Sequence, residues 1–138
     1  MKISQKLEYA CRALAQLAKT YDGKTLTRLD DLAQREVVSS NFLVQILNDV
    51  RRAGLIDSRR GANGGYMLSR PPANITLRQI VDAVEPSQLQ NTAQSGQGES
   101  GTAIHRAWET VSGKLAADLD AITLESVASP PSDPMFYI

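Results

Sequence analysis

The stretch that decides the fold reads LIDSRRGANGGYMLS and covers residues 55–69 of a 138-residue chain. Two strand-like pieces, Leu55–Ser58 and Tyr66–Ser69, flank the glycine-rich segment Arg60–Gly65. Two short apolar runs joined by a glycine-containing loop are typical of a β-hairpin. The residues on either side of this hairpin then indicate what it is attached to.

Three helices are predicted before the hairpin, and the second and third form a candidate helix-turn-helix. The first has an apolar stripe at alternating steps of four and three, made by Ile3, Leu7, Ala10, Leu14, Leu17 and Tyr21. A second, short helix over residues 28–36 takes Thr27 as its N-cap. The third opens at residues 37–40 and stops at Gly54, with its inward face made by Phe42, Leu43, Ile46, Leu47 and Val50.

After the hairpin, Thr76 and Gln79 form a capping box that predicts a helix over residues 77–84. Residues 86–102 are rich in small and polar side chains and are interpreted as a hinge. A longer helix follows, before a short helix capped by Thr123. The long helix has an apolar seam of Ile104, Trp108, Val111, Leu115, Leu119 and Ile122. We expect this seam to pair with a second copy of the chain; packing on its own domain is the alternative.

The predicted fold class is therefore mainly α with a small β-hairpin. It comprises a winged helix-turn-helix domain over residues 1–85, the hinge over 86–102, and a C-terminal part over 103–138. That last part holds a long dimerisation helix, a short helix and a tail.

Charge is distributed unevenly along the chain although the net charge is zero. Residues 1–80 contain 13 Lys and Arg against 7 Asp and Glu, whereas residues 81–138 contain 2 against 8. A basic half opposite an acidic half can orient one face toward a polyanion, and chance clustering on solvated faces is the alternative. No apolar run has the roughly 18–20 residues of a membrane helix, and we expect a cytoplasmic protein with no membrane partner.

Catalysis has no evident site in the sequence. The chain has one histidine, and it contains no paired carboxylate motif, nucleophile elbow or phosphate-binding loop. We therefore expect a binding protein that is not an enzyme.

Three segments resemble a family of bacterial winged-helix regulators that includes IscR, NsrR and CymR. The segments are Lys2-Ile3-Ser4-x-Lys6-x-x-Tyr9-Ala10, Arg51-x-Ala53-Gly54-Leu55-Ile56 and Arg60-Gly61-x-x-Gly64-Gly65-Tyr66-x-Leu68. Their order and spacing follow the family's pattern, as do the capped helix after the hairpin and Trp108 in the long helix. The match spans most of the chain.

The resemblance implies a dimer that reads two half-sites of a palindromic operator in double-stranded DNA. The third helix would enter the major groove and the hairpin, as the wing Arg59–Tyr66, the adjacent minor groove. Amides at Asn41 and Gln45 can pair with adenine, and Val44 could touch a thymine methyl or pack inward. An arginine suits a narrow minor groove, so Arg59, Arg60 and Gly61 are candidates at the wing tip.

Phosphate contacts position a regulator on DNA without specifying sequence. The candidates for such contacts are Lys2, Ser4, Lys6, Ser39, Ser40 and Arg51. Solvated surface positions are the alternative for each of them. A protein-interaction module without DNA binding is the corresponding alternative for the chain.

Cluster-binding relatives place three cysteines in the segment that matches residues 86–103, where this chain has none. Its single cysteine, Cys11, shares a helical face with Leu7 and Leu14 and is predicted to be a core residue. We therefore expect a repressor with no cofactor. The alternative is a redox- or metal-responsive regulator with the unusual ligands Glu8 and His105, which match ligand positions in relatives.

The chain ends in Phe136-Tyr137-Ile138, which resembles the end of the cysteine-metabolism regulators of the family. Those regulators are controlled by the cysteine-synthesis enzyme O-acetylserine (thiol)-lyase, whose active site accepts a terminal isoleucine carboxylate from another partner. The resemblance implies that this tail could be captured in the same way. Packing of the tail on the dimer is the alternative.

Overall fold

The computed structural model describes residues 1–90 and 97–129. Across these two ranges it contains helices α1 (Gln5–Lys19), α2 (Leu29–Glu36), α3 (Ser40–Arg52), α4 (Leu77–Val84), α5 (Gly101–Ala121) and α6 (Leu124–Ala128). Strands β1 (Ile56–Arg59) and β2 (Gly65–Leu68) form a two-stranded antiparallel sheet between α3 and α4. Short 3-10 turns follow at Pro72–Asn74 and Pro86–Leu89. The predicted fold class, mainly α with one β-hairpin, is confirmed.

The core forms where the apolar faces of α1, α3 and α4 meet. Leu14, Leu43 and Ile80 are fully buried there, together with Leu124 from α6. Hydrogen bonds Leu77 N–Ile122 O (2.9 Å) and Leu124 N–Ile75 O (2.9 Å) attach the segment after α5 to the start of α4. The domain that carries the hairpin is therefore completed by residues from the far end of the described chain.

The connection between α2 and α3 is tight because Val37 ends α2 in the left-handed conformation, with φ of 54°. Ser39 then begins α3, where its hydroxyl accepts a hydrogen bond from Phe42 N. The left-handed Val37 turns the chain sharply within the short connection, which is typical of a helix-turn-helix unit.

The hairpin has the predicted position and pairs Ile56 with Leu68 and Arg59 with Gly65 at its two ends. A Cβ at Gly64 would lie 2.2 Å from the backbone oxygen of Arg59, so only glycine fits there. A Cβ at Gly65 would meet the oxygen of Thr27 at 2.6 Å. Gly64 allows the backbone to close on itself within the hairpin, and Gly65 lets the sheet approach the backbone of Thr27 and Arg28 before α2.

The prediction that Thr27 caps α2 is wrong. Thr27 instead exchanges two main-chain hydrogen bonds of 2.8 Å with Tyr66 and forms an isolated β-bridge with the hairpin. The residue before α2 is Arg28, whose side chain makes no capping bond. The long-range bridge aligns the backbone of Thr27 with β2, so the residue expected to cap α2 is paired with the hairpin instead.

The seam predicted along α5 is divided between two environments. Leu119 is buried and Leu115 is partly buried against the chain's own core, as the alternative prediction had it. The other four seam residues remain exposed: Ile104 (56%), Trp108 (54%), Val111 (56%) and Ile122 (40%). We call these four the α5 apolar face.

None of the helices in the described ranges is long and apolar enough to cross a bilayer. The predicted partner-binding tail, Phe136, Tyr137 and Ile138, lies outside the described residues, as do residues 91–96 of the predicted hinge.

Candidate nucleic-acid interface

The first turns of α3 present polar side chains to solvent. Asn41 and Gln45 are exposed, and Ser40 is half-buried at the start of the helix. The opposite side of the helix places Leu43 and Ile46 in the core, which fixes the rotation of α3 about its axis. The two amides predicted to read bases are therefore free to meet a partner.

A groove separates α3 from the hairpin. Val44, Asn48 and Arg51 line it from α3. Ser58, Arg59 and Arg60 line it from the hairpin, and the Nη1 atom of Arg51 donates a 3.1 Å hydrogen bond to the Ser58 hydroxyl. Val44 is half-buried at this groove. It is therefore neither fully exposed, as contact with a thymine methyl would favour, nor fully packed inward.

Three arginines surround the hairpin tip without a carboxylate partner among the residues that the structure describes. Arg59 and Arg60 are exposed on the hairpin, and Arg28 reaches it from the start of α2, where its Nη1 atom donates to the carbonyl of Ala62. Asp30 also lines the groove but forms no ion pair within 4.0 Å in the described ranges. Unneutralised like charges at one tip favour a polyanionic partner.

We call Asn41 and Gln45 of α3, together with Arg59 and Arg60 of the hairpin, the α3–wing face.

Two of the serines predicted to contact phosphate have structural roles. The Ser4 hydroxyl accepts from Leu7 N at 3.1 Å as the cap of α1 and donates to Glu85 Oε1 at 2.5 Å. Ser39 caps α3 through Phe42 N at 3.2 Å. Lys2 is exposed, and its carbonyl accepts a 2.7 Å hydrogen bond from Gln88 Nε2. Phosphate binding by either serine hydroxyl would compete with these bonds.

Lys6 forms an ion pair in the structure, and its charge is therefore partly compensated. Its ammonium lies 2.7 Å from Asp49, which also pairs with Arg52. The hydrogen bond from Lys6 lowers the pKa of Asp49, and the positive charges of Lys6 and Arg52 lower it further, against the opposing effect of partial burial. Lys6 is thus a weaker candidate for a phosphate contact than the unpaired arginines of the hairpin.

Arg28 and Asn48 are groove residues that sequence reasoning missed. Asn48 follows Val44 by four positions on α3, so helical spacing alone could have placed the two side by side. Arg28 had no such signal because its place at the hairpin depends on the bridge between Thr27 and Tyr66.

Residues proposed as unusual metal ligands are distributed over two helices. Glu8 is exposed on α1, and His105 is half-buried near the start of α5, with its Nε2 atom 3.5 Å from Glu109 Oε1. No group of three or more His, Cys, Asp or Glu side chains with the spacing of a metal site is found over residues 1–90 and 97–129. Cys11 is partly buried against the core, as predicted, and desolvation followed by the charge of Glu8 raises its pKa to about 11.

The chain belongs to the Rrf2 family of transcriptional regulators. The family model, described as an iron-dependent transcriptional regulator, matches residues 3–130. The family's members bind DNA as winged-helix regulators and act as dimers, and the family is one of regulators rather than enzymes.

Individual relatives give the same assignment. IscR of Cereibacter sphaeroides is 34% identical over 92% of this chain and 86% of its own length. The structure of CymR from B. subtilis, the global cysteine regulator of that organism, superposes with a TM-score of 0.80 at 32% identity, covering 96% of this chain and 99% of that one. The IscR structure from T. potens superposes with a TM-score of 0.73 at 29% identity, covering 99% and 97%.

The iron dependence in the family description can be tested against the donors of this chain. An ordinary iron–sulfur cluster is held mainly by cysteine thiolates, and the chain has a single cysteine. Cys11 is partly buried on α1, and the residues that the structure describes hold no group of three or more His, Cys, Asp or Glu that could complete such a site. These donors do not fit such a cluster.

Proposed function

We propose that this chain is a dimeric, sequence-specific DNA-binding repressor that works without an iron–sulfur cluster. The observation that carries the proposal is the α3–wing face. Asn41 and Gln45 are exposed on the first turns of α3, and Arg59 and Arg60 line the hairpin side of the adjoining groove with no carboxylate partner in the described part of the chain.

Each part of this face suits a different part of a DNA duplex. The amides of Asn41 and Gln45 can pair bidentately with adenine in the major groove. Arg60, on a glycine-rich loop, can enter the minor groove, where a narrow groove has enhanced negative potential. Arg51, which lines the groove, and the exposed Lys2 are proposed to contact phosphates, which would set the register of the protein on the duplex.

The proposed dimer forms through the α5 apolar face. Trp108 and Val111 are large apolar residues, more than half exposed, one helical turn apart, and a second copy would remove both from water. Two-fold pairing would present two copies of α3, so the proposed operator is a palindrome with two half-sites.

The proposed signal is a protein partner or a small effector. The 32% identity to CymR of B. subtilis supports a role in cysteine metabolism, because that protein is the global cysteine regulator of its organism. O-acetylserine (thiol)-lyase is the proposed partner, and Phe136–Ile138 the segment it would capture. Removing these residues should abolish binding to the enzyme in calorimetry; unchanged affinity would refute this part of the proposal.

The DNA-binding proposal is tested by selecting bound fragments from genomic DNA with the purified protein. We expect a recurring palindrome. The logarithm of the binding constant for that duplex should fall linearly as the logarithm of the salt concentration rises. A random duplex of equal length and composition is the control. Equal affinity for the two duplexes would refute the proposal that the protein recognises a specific sequence. Iron content and colour of anaerobically purified protein test the absence of a cluster separately.

A further inference from the structure

The segment before α2 contacts the hairpin at two levels, and these contacts connect the helix-turn-helix to the wing. Main-chain hydrogen bonds of 2.8 Å join Thr27 and Tyr66 at the base of the loop. At the tip, the guanidinium of Arg28 donates to the carbonyl of Ala62. The second contact is the one that reaches the loop beyond the two strands.

The tip has little else to hold it. Residues 60–63 lie outside both strands and are all exposed. Within the loop, a hydrogen bond of 3.0 Å from Gly64 N to Gly61 O closes the turn. Gly61 has a positive φ of 105°, and a Cβ at this position would meet no atom within 4 Å. A glycine-rich loop with one internal bond loses considerable freedom when it is fixed on a partner.

We propose that Arg28 is a positioning residue for the wing: its hydrogen bond to Ala62 sets the tip in the conformation that directs Arg60 toward DNA. The inference rests on the proposed DNA-binding function. Arg28 is suited to this role because its side chain makes no helix cap and has no carboxylate partner in the described ranges. A planar guanidinium with several donors can also hold a carbonyl in a fixed direction.

The energetic effect is preorganisation. A loop already held in its bound conformation avoids part of the ordering cost that association otherwise imposes. Arg28→Ala should weaken operator binding by about three- to tenfold, the range that corresponds to ordering one or two side chains on binding. Arg35→Ala is the matched control because it removes the same charge from the other end of α2, where Arg35 is exposed.

A first measurement needs no DNA. Trypsin cleaves after arginine, and Arg59 at the end of β1 and Arg60 at the start of the tip are both exposed. Under native conditions Arg28→Ala should be cut at these two positions several-fold faster than the parent chain, and Arg35→Ala at the parent rate. Equal cleavage rates in Arg28→Ala and the parent would overturn the proposal whatever the protein does with DNA.

A second measurement separates positioning from direct contact. Operator affinity is compared for Arg28→Ala, Arg60→Ala and the double variant, each as a function of salt. If Arg28 acts through the wing, the double variant should bind about as well as Arg60→Ala alone. Additive losses, with a salt slope lower by about 0.9 for the loss of Arg28, would show that Arg28 contacts a phosphate and would overturn the proposal.

The two measurements fail separately. If the parent chain binds no palindromic duplex while Arg28→Ala is still cut faster at the tip, the DNA-binding proposal fails and the contact between Arg28 and the wing stands. If the parent binds and the cleavage rates are equal, the positioning proposal alone fails.

Discussion

Helices α3 and α5 are both amphipathic in sequence, yet they present opposite chemistry to solvent. α3 buries Leu43, Ile46, Leu47 and Val50 in its own domain and leaves polar side chains outside. α5 is longer, 21 residues against 13, but only Leu119 is buried. The exposed side of α3 is therefore suited to a polar partner, whereas that of α5 is suited to an apolar one.

The same contrast runs through the charge of the chain. Basic residues outnumber acidic ones by 13 to 7 in residues 1–80, which contain α3 and the wing, and acidic residues outnumber basic ones by 8 to 2 in residues 81–138, which contain α5. A DNA duplex would be attracted to the first half and repelled from the second. The difference between the two surfaces fits the two partners proposed above, DNA at the α3–wing face and a second copy at the α5 apolar face, and a substitution in each surface tests its assignment.

The largest effect is expected from Trp108→Glu. Burying a large apolar side chain contributes about 1.5–3 kcal/mol, and a two-fold dimer would lose this contribution twice, so the dimer dissociation constant should rise about a hundredfold or more. Sedimentation equilibrium measures the change. Val127→Glu is the matched control, since Val127 is 45% exposed on α6, outside the α5 apolar face. Trp108→Glu protein that remains as dimeric as the control would remove this face from the interface.

Arg60→Ala is expected to have the next largest effect, a loss of operator affinity of about tenfold to a hundredfold. The reason is that a buried arginine in the minor groove contributes both charge and hydrogen bonds. Arg106→Ala removes the same charge from exposed α5 and should leave affinity unchanged. Fluorescence anisotropy with the selected operator measures both. Parent-like binding by Arg60→Ala would show that the wing assignment is wrong.

Gln45→Ala should act on specificity more than on affinity. Loss of one bidentate amide contact is expected to reduce discrimination at a single base pair by about 1–3 kcal/mol, with little change in binding to random duplex. Gln34→Ala, which removes another exposed amide, on α2, is the control. Competition among operators that carry each base at each position gives the result, and unchanged preferences at every position would exclude Gln45 as a base reader.

Local sequence signals predicted the elements that depend on neighbours in the chain. The capping box of Thr76 and Gln79 is present, with Gln79 N donating to the threonine hydroxyl at 3.3 Å, and the hairpin forms where its glycines indicate. Thr123 also caps α6, where its hydroxyl accepts from Ser126 N. Caps and turns involve residues within a few positions of each other, so spacing alone is sufficient to find them.

Contacts between distant residues were beyond those signals. Thr27 looked like a cap, but 39 positions further on Tyr66 takes both of its main-chain groups. Arg28 contacts Ala62 and Ser4 contacts Glu85 across similar or larger separations. Leu119 shares the periodicity of Trp108, yet only Leu119 meets the core, because α4 covers one end of α5. Periodicity shows which side of a helix is apolar and leaves open which partner covers it.

The smallest expected effect concerns how the two helices begin. Ser39 caps α3 with its side chain, whereas Ser100 stands at the start of α5 and makes no side-chain capping bond. Ser39→Ala should therefore lower the free energy of unfolding by about 1 kcal/mol, the usual contribution of such a cap, and Ser100→Ala should change it little. Chemical denaturation measures both variants at the same protein concentration, because dimerisation adds to apparent stability. Equal losses of unfolding free energy would mean that Ser100 stabilises the start of α5 as much as Ser39 stabilises the start of α3. The contrast between α3, which is buried in its own domain, and α5, which is largely exposed, would then not extend to the first residues of the two helices.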